Sequence, residues 1–502
     1  MRPLGLNALR ARRLGLLTHD EAVAFIRSDS DVSKSEGLSS YGRLKLQCDG
    51  ATVYASLYQV TSDLIDHDEI GLSEYAWTKL GLTGPQAVTV SSAPPLQSMT
   101  HVRAKMFGEE LGTDAAAEIV RDIVAGRFSD IQLSSFVAAC ASPVLTAAET
   151  IAVTKAMVET GTRLVWPAGR IYDKHCIGGL PGNRTTPIVV AIVTCFGLTM
   201  PKTSSRAITS PAGTADTMET LTNVALDMAA MRRVVETTGG CFVWGDSVGF
   251  SPADTSVIRI ERALNLDVDG LLVASVLSKK IAAGATHVVI DMPVGPTAKM
   301  RNPAAAARLS DLFRQVAAAF GLEVRTVITD GRQPVGRGIG PALEAMDILA
   351  VLDTWPDELS DLADKSCLLA GAVLEMAGLC AEGSGADLAG SALRDGRARR
   401  KFDEICAAQG GSGSPPQAQF TRPVRATRSG RVASLDNRMI ARIAKLAGAP
   451  EDASAGVRLA VRLGDRVRQG DTLFTLVSGT PGKITYAMEY VSENPSVIEI
   501  SR

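Results

Sequence analysis

The sequence predicts an α/β multidomain protein, and three patterns along its 502 residues lead to that prediction. Short apolar runs alternate with helical segments in 163–251 and again in 285–410, which is typical of βαβ units that form a sheet covered by helices. A helical pattern runs from Met99 to about Gly161, and strand-like runs with turn residues dominate both ends of the chain. A chain of this length has room for roughly three or four domains.

A small β-rich module is predicted for residues 1–92. Apolar runs on either side of the Asp49-Gly50 pair indicate a β-hairpin with a tight turn. A short helix over 73–80 and a closing strand over 86–90 complete the module.

A small helical domain is predicted to follow a proline-containing linker and to combine residues 96–162 with 252–284. The stretch from Thr146 to Glu149 resembles a capping box, which marks the start of a helix. A second helical block is predicted from Asp254 to Ala283.

A large α/β domain with a mixed sheet is predicted for residues 163–251 together with 285–410. Its clearest strand candidates are 288–292 and 323–329, and its clearest helix candidate is 341–352.

The C-terminal residues 418–502 are predicted to form a β-rich α+β domain behind a flexible, glycine-rich boundary at 409–416. Residues 464–471 resemble the hammerhead of biotinyl and lipoyl domains. The exposed turn lacks the lysine that would carry such a cofactor, so we interpret this domain as a structural cap.

The composition excludes several classes of function. A formal net charge of −2 offers no basic face for nucleic acid. The eight cysteines and five histidines show no metal-ligand or disulfide spacing, which favours reduced thiols and no metal site. The longest apolar stretch, 188–200, is too short to cross a bilayer, and no export signal follows the basic N-terminus. We therefore expect a cytoplasmic protein without nucleic-acid, membrane or metal partners.

A glycine-rich segment, 173–187, is the first candidate anion site. Its glycines let the backbone approach a ligand closely. It leads into an apolar helix, for which Thr186 suits the N-cap and Pro187 the first helical position. A helix N-terminus binds anions, and Lys174 adds a positive charge. An ordinary glycine-rich connection is the alternative interpretation.

A segment rich in hydroxyl groups, 202–216, is the second candidate. Hydroxyl groups donate hydrogen bonds without adding charge, and Arg206 can form a fork to phosphate or to ribose hydroxyls. Gly213 and Thr214 then open another helix. A polar loop followed by a capped helix is the alternative.

Isolated polar residues further along the chain are weaker candidates. Asp267 could donate a proton to a departing base or merely cap a helix. Ser275 and Lys279 are four residues apart and share one helix face. Lys299 follows a predicted strand, at the sheet edge where ligands bind. We interpret two neighbours on the same helix as surface residues: Ser278 and Lys280.

Together these segments resemble the thymidine phosphorylase/AMP phosphorylase family. The resemblance is densest in 174–186 and 202–216, continues through 241–245 and 275–280, and covers nearly the whole chain beyond residue 95. The extra N-terminal module and the long Gly-Gly-Leu-Pro-Gly-Asn form of the first loop are similar to the AMP phosphorylase branch.

The resemblance implies roles for the candidate residues. Four would contact phosphate: Lys174, Thr186, Ser204 and Thr214. Ten would line the substrate site: Gly179, Ser205, Arg206, Ala207, Ile208, Thr209, Ser210, Thr214, Ser275 and Lys299. We add Lys279 because it shares a helix face with Ser275. Asp267 would protonate the leaving base, as in the AMP branch, and His175 matches the histidine that polarises the base in the thymidine branch.

Two departures from the family pattern bear on specificity. Cys176 stands where a serine is usual, which removes a hydroxyl donor. Ile260 stands where the thymidine branch carries an arginine for the pyrimidine carbonyl, so pyrimidine specificity stays open.

The resemblance implies phosphorolysis of a nucleoside or a nucleoside 5′-monophosphate. The products would be a free base and a (deoxy)ribose 1-phosphate or ribose 1,5-bisphosphate. Inorganic phosphate would be the co-substrate, with no cofactor, in a homodimer or larger homo-oligomer. One alternative is an anthranilate-type phosphoribosyltransferase, which would need acidic pairs for magnesium. Another is a nucleotide-binding protein without catalysis.

Overall fold

The computed structural model describes residues 7–18, 20–38, 42–167, 169–207, 210–411 and 413–501. The strands are, in chain order: β1 (Ala8–Arg13), β2 (Val23–Arg27), β3 (Arg43–Cys48), β4 (Ala51–Val60), β5 (Glu69–Leu72), β6 (Ala87–Ser92), β7 (Tyr172–Cys176), β8 (Met200–Ser204), β9 (Gly240–Trp244), β10 (His287–Val294), β11 (Glu323–Asp330), β12 (Gly338–Ile339), β13 (Phe420–Arg425), β14 (Gly430–Leu435), β15 (Gly456–Leu459), β16 (Arg466–Val467), β17 (Thr472–Ser478) and β18 (Ile498–Ser501).

The α-helices are, in chain order: α1 (Asp31–Ser35), α2 (Glu74–Lys79), α3 (Ser98–Met106), α4 (Thr113–Val124), α5 (Asp130–Ala141), α6 (Ala147–Glu159), α7 (Thr185–Cys195), α8 (Thr214–Glu219), α9 (Met228–Thr238), α10 (Pro252–Leu264), α11 (Asp269–Ala282), α12 (Pro303–Ala318), α13 (Pro341–Asp353), α14 (Ser360–Met376), α15 (Gly385–Arg394), α16 (Arg397–Ala408), α17 (Asn437–Ala447) and α18 (Pro481–Glu493). The chain divides into two compact units: Met1–Thr160 with Ala253–Leu271, and Gly161–Pro252 with Leu272–Arg502. This division into two units does not test the four predicted domain ranges, which stay a prediction.

The first unit begins with a closed six-stranded barrel in the order β1-β5-β2-β4-β3-β6. The predicted hairpin is confirmed, because β3 and β4 pair antiparallel around Asp49 and Gly50, whose φ angles are 45° and 86°. Positive φ at both turn residues matches the twist of the flanking strands. Alternate side chains such as Leu44 and Leu46 are fully buried and fill the barrel.

Helices α3 to α6 and α10 belong to the same unit. The predicted capping box is confirmed: Glu149 N donates to Thr146 Oγ1 at 3.2 Å, and Thr146 N donates to Glu149 Oε2 at 2.8 Å. Buried Lys105 also donates to Glu149 Oε1 at 2.7 Å, so one carboxylate caps α6 and ties it to α3. The predicted block 254–283 consists of two helices, α10 and α11, and Asn265 stands just after α10 with a φ of 51°.

The second unit contains the predicted α/β sheet. Strands β11-β10-β7 form one parallel group, β8 and β9 form another, and a parallel bridge between Ile171 and Thr199 joins the two. The prediction of a mixed sheet is wrong for the described strands of this sheet, since all these pairs are parallel. Helices connect β7 to β8, β8 to β9 and β10 to β11, and such crossovers return the chain in the same direction. The two strand candidates and the helix candidate of this domain are confirmed as β10, β11 and α13.

Helix α7 lies at the centre of the α/β core. Every side chain from Ile188 to Val193 is fully buried, and α14 and α16 pack against the helix. A helix that is apolar all round is buried on every side.

The C-terminal part combines strands with α17 and α18, which confirms its α+β composition, while the hammerhead stays a resemblance. Its two sheets have the orders β12-β15-β17-β13 and β16-β14-β18. The two-residue β12 comes from the α/β segment and pairs Ile339 with Val457, so this sheet extends across the predicted boundary. Across the described ranges, no helix has the length and apolar character needed to cross a membrane.

Candidate active site

The glycine-rich loop after β7 is packed tightly against two other segments. Gly178, Gly179 and Gly182 all have positive φ, between 70° and 94°. A Cβ atom on Gly179 would lie 2.5 Å from Lys299 N, and one on Gly182 would collide with the Val335 carbonyl. Both positions therefore require glycine, for conformation and for space. The loop also brings Gly179 and Lys299, two predicted substrate residues, into contact.

Lys174 lies beneath the start of α7. Its side chain is fully buried, and Nζ donates to Thr185 Oγ1 at 2.7 Å and to Thr186 Oγ1 at 3.4 Å. The structure thus brings together the predicted phosphate residues Lys174 and Thr186. The prediction that Thr186 is the N-cap is wrong, because the helix begins at Thr185 with Arg184 as N-cap. Pro187 is the third helical residue, where its missing N–H still belongs to the unpaired first turn.

Arg184 joins the two predicted loops. Its Nη1 donates to Thr214 Oγ1 at 3.1 Å and its Nη2 to the Ala212 carbonyl at 2.9 Å. Its Nε donates to Glu344 Oε2 at 2.6 Å, and Thr217 Oγ1 donates to the same oxygen at 3.0 Å. The glycine-rich and hydroxyl-rich segments therefore meet, held by a buried carboxylate that the sequence did not single out.

Asp216 shapes the hydroxyl-rich loop after β8. Its Oδ2 accepts from Ala207 N at 2.6 Å and from Gly213 N at 2.8 Å, which folds the loop back onto the start of α8. Arg206 pairs with Asp216 at 3.2 Å and with Glu219 at 2.5 Å, and its guanidinium lies 4.7 Å from the Trp244 ring centre. The guanidinium of Arg206, which was predicted to bind a ligand, therefore pairs with two protein carboxylates in this structure.

The other predicted residues of the hydroxyl-rich loop have different surroundings. Ser204 Oγ is buried and has no hydrogen-bond partner among the described residues. Ser205 approaches Gly213 through its carbonyl, which explains why residue 213 lacks a side chain. Ser210 Oγ donates to the Ala212 carbonyl at 2.7 Å. Two predicted substrate residues lie outside the described residues: Ile208 and Thr209.

A buried lysine–aspartate–lysine cluster lies beside Lys174 on β7. Asp173 Oδ1 is 3.1 Å from Lys202 Nζ, and Asp173 Oδ2 is 2.8 Å from Lys280 Nζ. The interpretation of Ser278 and Lys280 as surface residues is wrong, since their exposed fractions are 0% and 2%. Asp173 provides the counter-charge that makes burial of Lys280 possible.

A second buried cluster lies where β7, β10 and β11 end. Asp291 Oδ2 is 3.2 Å from Lys365 Nζ and accepts from Asn183 Nδ2 at 3.1 Å. Asp291 Oδ1 accepts from Thr329 Oγ1 at 2.6 Å. Asp291 therefore ties the glycine-rich loop to the sheet and to α14. The sequence analysis missed it, although its place at the end of an apolar strand was a usable signal.

The charged groups of this region have displaced pKa values. Burial lowers the pKa of Lys174, and Asp291 opposes that effect. Burial, together with Lys280 and other nearby lysines, lowers the pKa of His175 well below its ordinary value. The imidazole is therefore neutral at pH 7. Burial raises the pKa of the Cys176 thiol to about 11, so this side chain is also uncharged.

Three further predicted residues lie on α11 or just before it. Ser275 is buried on α11, and Lys279 Nζ donates to its Oγ at 3.3 Å, so the two share one helix face. Asp267 lies between α10 and α11 in the first unit. Within the ranges that the structure describes, no group of three or more His, Cys, Asp or Glu side chains is placed to hold a metal ion.

Three family models match this chain in succession. Residues 100–161 match the helical bundle domain of a glycosyl transferase family, and residues 168–399 match its a/b domain. Residues 431–497 match the pyrimidine nucleoside phosphorylase C-terminal domain.

Curated relatives match over nearly their whole length. A protein of Polaromonas sp. (strain JS666) named "Putative thymidine phosphorylase" is 54% identical over 98% of this chain and 97% of its own. One of Acidovorax sp. (strain JS42), named "Putative thymidine phosphorylase 2", is 52% identical over 99% and 96%. Anthranilate phosphoribosyltransferase from Thermus thermophilus shares the fold alone, with a TM-score of 0.52 and 20% identity over 62% of this chain and 99% of that one. The chain therefore belongs to the thymidine phosphorylase/AMP phosphorylase family and is a pentosyltransferase.

Proposed function

We propose that this chain is a nucleoside phosphorylase that captures orthophosphate beside Lys174 and cleaves the glycosidic bond of a nucleoside or nucleoside 5′-monophosphate. The observation that carries the proposal is an excess of buried positive charge around β7. Four buried lysines face two buried aspartates there: Lys174, Lys202, Lys280, Lys365, Asp173 and Asp291. The six residues form two clusters, Asp173 with Lys202 and Lys280, and Asp291 with Lys174 and Lys365, and each cluster has one more lysine than aspartate.

Buried charges without counter-charges are costly, so such an excess favours an anionic ligand. Burial lowers the pKa of Lys280, and Asp173 opposes that effect. A bound dianion would likewise favour the protonated form of Lys280. Phosphate binding and full charging of the cluster thus support each other.

An unused hydrogen-bonding group at the end of β8 supports the phosphate assignment. Among the described residues, buried Ser204 Oγ has no hydrogen-bond partner. Buried polar atoms are normally satisfied, so a hydroxyl of this kind marks a place where a ligand or water completes the network. Ser204 would donate to phosphate together with Lys174, Thr186 and Thr214.

The neutral state of His175 assigns different roles to the two candidate proton donors. A neutral imidazole can hydrogen-bond a base but is too weak an acid to protonate it at pH 7. Asp267 is then the proposed acid. Ser275, Lys279 and Lys299 would hold the nucleoside or nucleotide.

The reaction would run as a displacement at C1′. As the C1′–N bond stretches, the sugar gains positive charge, which the adjacent phosphate stabilises. A phosphate oxygen then bonds to C1′, and the base nitrogen takes the bond electrons and the proton of Asp267. Positioning and fixed charges would supply most of the acceleration. Phosphate would be the co-substrate, and the reaction would need no cofactor. The proposed enzyme is a cytoplasmic homodimer or larger homo-oligomer.

A phosphorolysis panel tests the proposal. The protein is incubated with phosphate and with thymidine, uridine, adenosine or cytidine, or with the corresponding 5′-monophosphates, and base release is measured. Release that needs phosphate and survives EDTA is expected. Release that needs a diphosphate and magnesium would instead favour the phosphoribosyltransferase alternative, and nucleotide binding without turnover would favour a non-catalytic role.

Two variants assign the residues. Lys174→Ala should abolish phosphate-dependent cleavage, whereas Lys155→Ala, at a side chain on α6 that is 51% exposed, should not change it. Asp267→Asn should reduce kcat more than it raises KM, because it removes a proton donor rather than a binding contact. Intact turnover in Lys174→Ala would refute the anion site, and an unchanged kcat in Asp267→Asn would refute the acid role.

A further inference from the structure

The turn that follows β10, residues 295–300, carries Lys299 and is held closed by its own backbone hydrogen bonds. Gly295 N donates to the Met300 carbonyl at 3.0 Å, and Ala298 N donates to the Gly295 carbonyl at 3.1 Å. Ala298 is fully buried, whereas Lys299 is half-buried. Because the turn is closed in this way, a contact that fixes one part of it also sets the position of Lys299.

Two segments of the α/β part pack against this turn. A Cβ atom on Gly295 would lie 2.3 Å from the carbonyl oxygen of Gly331, just after β11, and Gly331 N donates to the Val294 carbonyl at 2.9 Å. Gly179 of the glycine-rich loop packs against the backbone of Lys299. The turn is therefore in contact with both the end of β11 and the glycine-rich loop.

Asn437 approaches the same turn from the C-terminal part of the chain. It is the first residue of α17 and is only 1% exposed. Its backbone N donates to Thr297 Oγ1 at 3.1 Å, and its Nδ2 donates to the same oxygen at 3.0 Å. Nδ2 also donates to the Gly331 carbonyl at 2.9 Å. One buried side chain thus bridges the turn and the end of β11.

The start of α17 leaves the backbone donor of Asn437 available for this contact. The first N–H groups of a helix have no partner within the helix. The N-cap residue Asp436 accepts from Arg438 N and Met439 N, both at 2.8 Å. The N–H of Asn437 is therefore left to bond Thr297.

We propose that Asn437 is a positioning residue, which fixes the turn 295–300 and thereby holds Lys299 in the nucleoside or nucleotide site. The inference rests on the proposed function, in which Lys299 holds the substrate. The C-terminal part then contributes to substrate binding in addition to capping the fold. The hydrogen bonds of Lys174 with Thr185 and Thr186 do not involve Asn437, so phosphate binding should change much less.

Steady-state kinetics of the full-length protein, with the nucleoside or nucleotide that it cleaves fastest, tests the inference. In Asn437→Ala, kcat/KM for that substrate should fall about 10- to 100-fold, mainly through KM, because misplacing Lys299 by about 1 Å is enough for such a loss. Thr297→Val keeps the shape of the side chain, removes the shared acceptor and should reproduce the effect. Asn494→Ala, which removes an amide that donates to the Tyr490 carbonyl at 2.8 Å, is the matched control and should leave KM unchanged.

A double-mutant cycle with Lys299→Ala shows whether Asn437 acts through Lys299. If it does, adding Asn437→Ala to Lys299→Ala should lower kcat/KM no further. A contact that only stabilises the fold would lower kcat/KM by the same factor in both backgrounds. Full additivity would overturn the inference, and so would an unchanged kcat/KM in folded Asn437→Ala and Thr297→Val.

Hydrogen–deuterium exchange of the turn separates this inference from the proposed function. The amides of residues 295–300 should exchange faster in Asn437→Ala and Thr297→Val than in the wild type and Asn494→Ala. Equal exchange in all four proteins would overturn the inference, whatever the enzyme cleaves. Absence of base release by the wild type would refute the proposed function instead, and the exchange rates would still decide whether Asn437 fixes the turn.

Discussion

Lys365→Met tests the charge argument at a residue that no motif identified. Methionine keeps an unbranched side chain of similar length and removes the positive charge. In the structure Lys365 Nζ lies 3.2 Å from Asp291 Oδ2, and both residues are buried. At an effective dielectric constant of about 20, opposite unit charges at this separation attract by about 5 kcal/mol.

Two consequences follow from that geometry. Stability should fall by roughly 3 kcal/mol, the lower end for breaking a buried pair, because Thr329 and Asn183 still donate to Asp291. The unbalanced charge around β7 should fall from two to one, which weakens phosphate by about 1.5–3 kcal/mol if one charge-assisted contact is lost. The KM for phosphate should therefore rise about 10- to 150-fold, with a much smaller change for the nucleoside.

Steady-state kinetics with each substrate varied in turn provides the assay. The double variant Asp291→Asn/Lys365→Met restores the excess of two positive charges and should recover part of the phosphate affinity, which separates charge from lost packing. Lys155→Met, at a side chain that is 51% exposed, is the matched control. A folded Lys365→Met enzyme with an unchanged phosphate KM would refute the reasoning.

Three other changes have clear expected outcomes. Ser204→Ala should raise the phosphate KM without lowering the thermal midpoint, because its Oγ has no partner among the described residues; a large loss of stability would contradict the ligand role. Gly179→Ala should nearly abolish activity, because its Cβ would lie 2.5 Å from Lys299 N. Gly178 also has positive φ but has open space around it, so Gly178→Ala should cost only about 1 kcal/mol of stability. Equal effects of the two variants on kcat/KM would contradict the packing argument. The pKa of His175 is lower in the folded protein than in the unfolded chain. As pH falls below about 6.5, His175 is therefore protonated in the unfolded chain before it is protonated in the folded protein, and the free energy of unfolding should decrease. Denaturant titrations at pH 7.5 and 5.5 should show that His175→Gln loses less stability between these pH values than the wild type does. An equal loss in both proteins would exclude His175 as the origin of the pH dependence.

Local signals in the sequence predicted what is local in the structure. Lys174 and Thr186 are twelve positions apart on one strand–loop–helix unit, so glycine content and an apolar helix were enough to place them together. The barrel hairpin and the capping box at Thr146 are equally local, and both are confirmed.

Contacts between distant segments could not be predicted in this way. Glu344 holds Arg184 from 160 positions away, and Lys365 on α14 reaches Asp291 on strand β10. Lys280 has polar neighbours in sequence, which favours a surface position, but its helix turns it towards Asp173. Burial of a lysine depends on a counter-charge that only the tertiary fold supplies.

In the proposed function, the two aspartates would let a site with four buried lysines bind phosphate and still release its products. Without Asp173 and Asp291 the cluster would carry four unbalanced charges, and such burial would destabilise the free enzyme. With both aspartates the lysines stay partly neutralised when the site is empty, and the excess is no larger than the charge of one phosphate dianion. In the proposed reaction, a sugar phosphate product would carry a similar charge on a bulkier group and would lose the oxygen that now bonds to carbon. We therefore expect the same fixed charges to hold the entering phosphate more tightly than the leaving ester, which would favour product release.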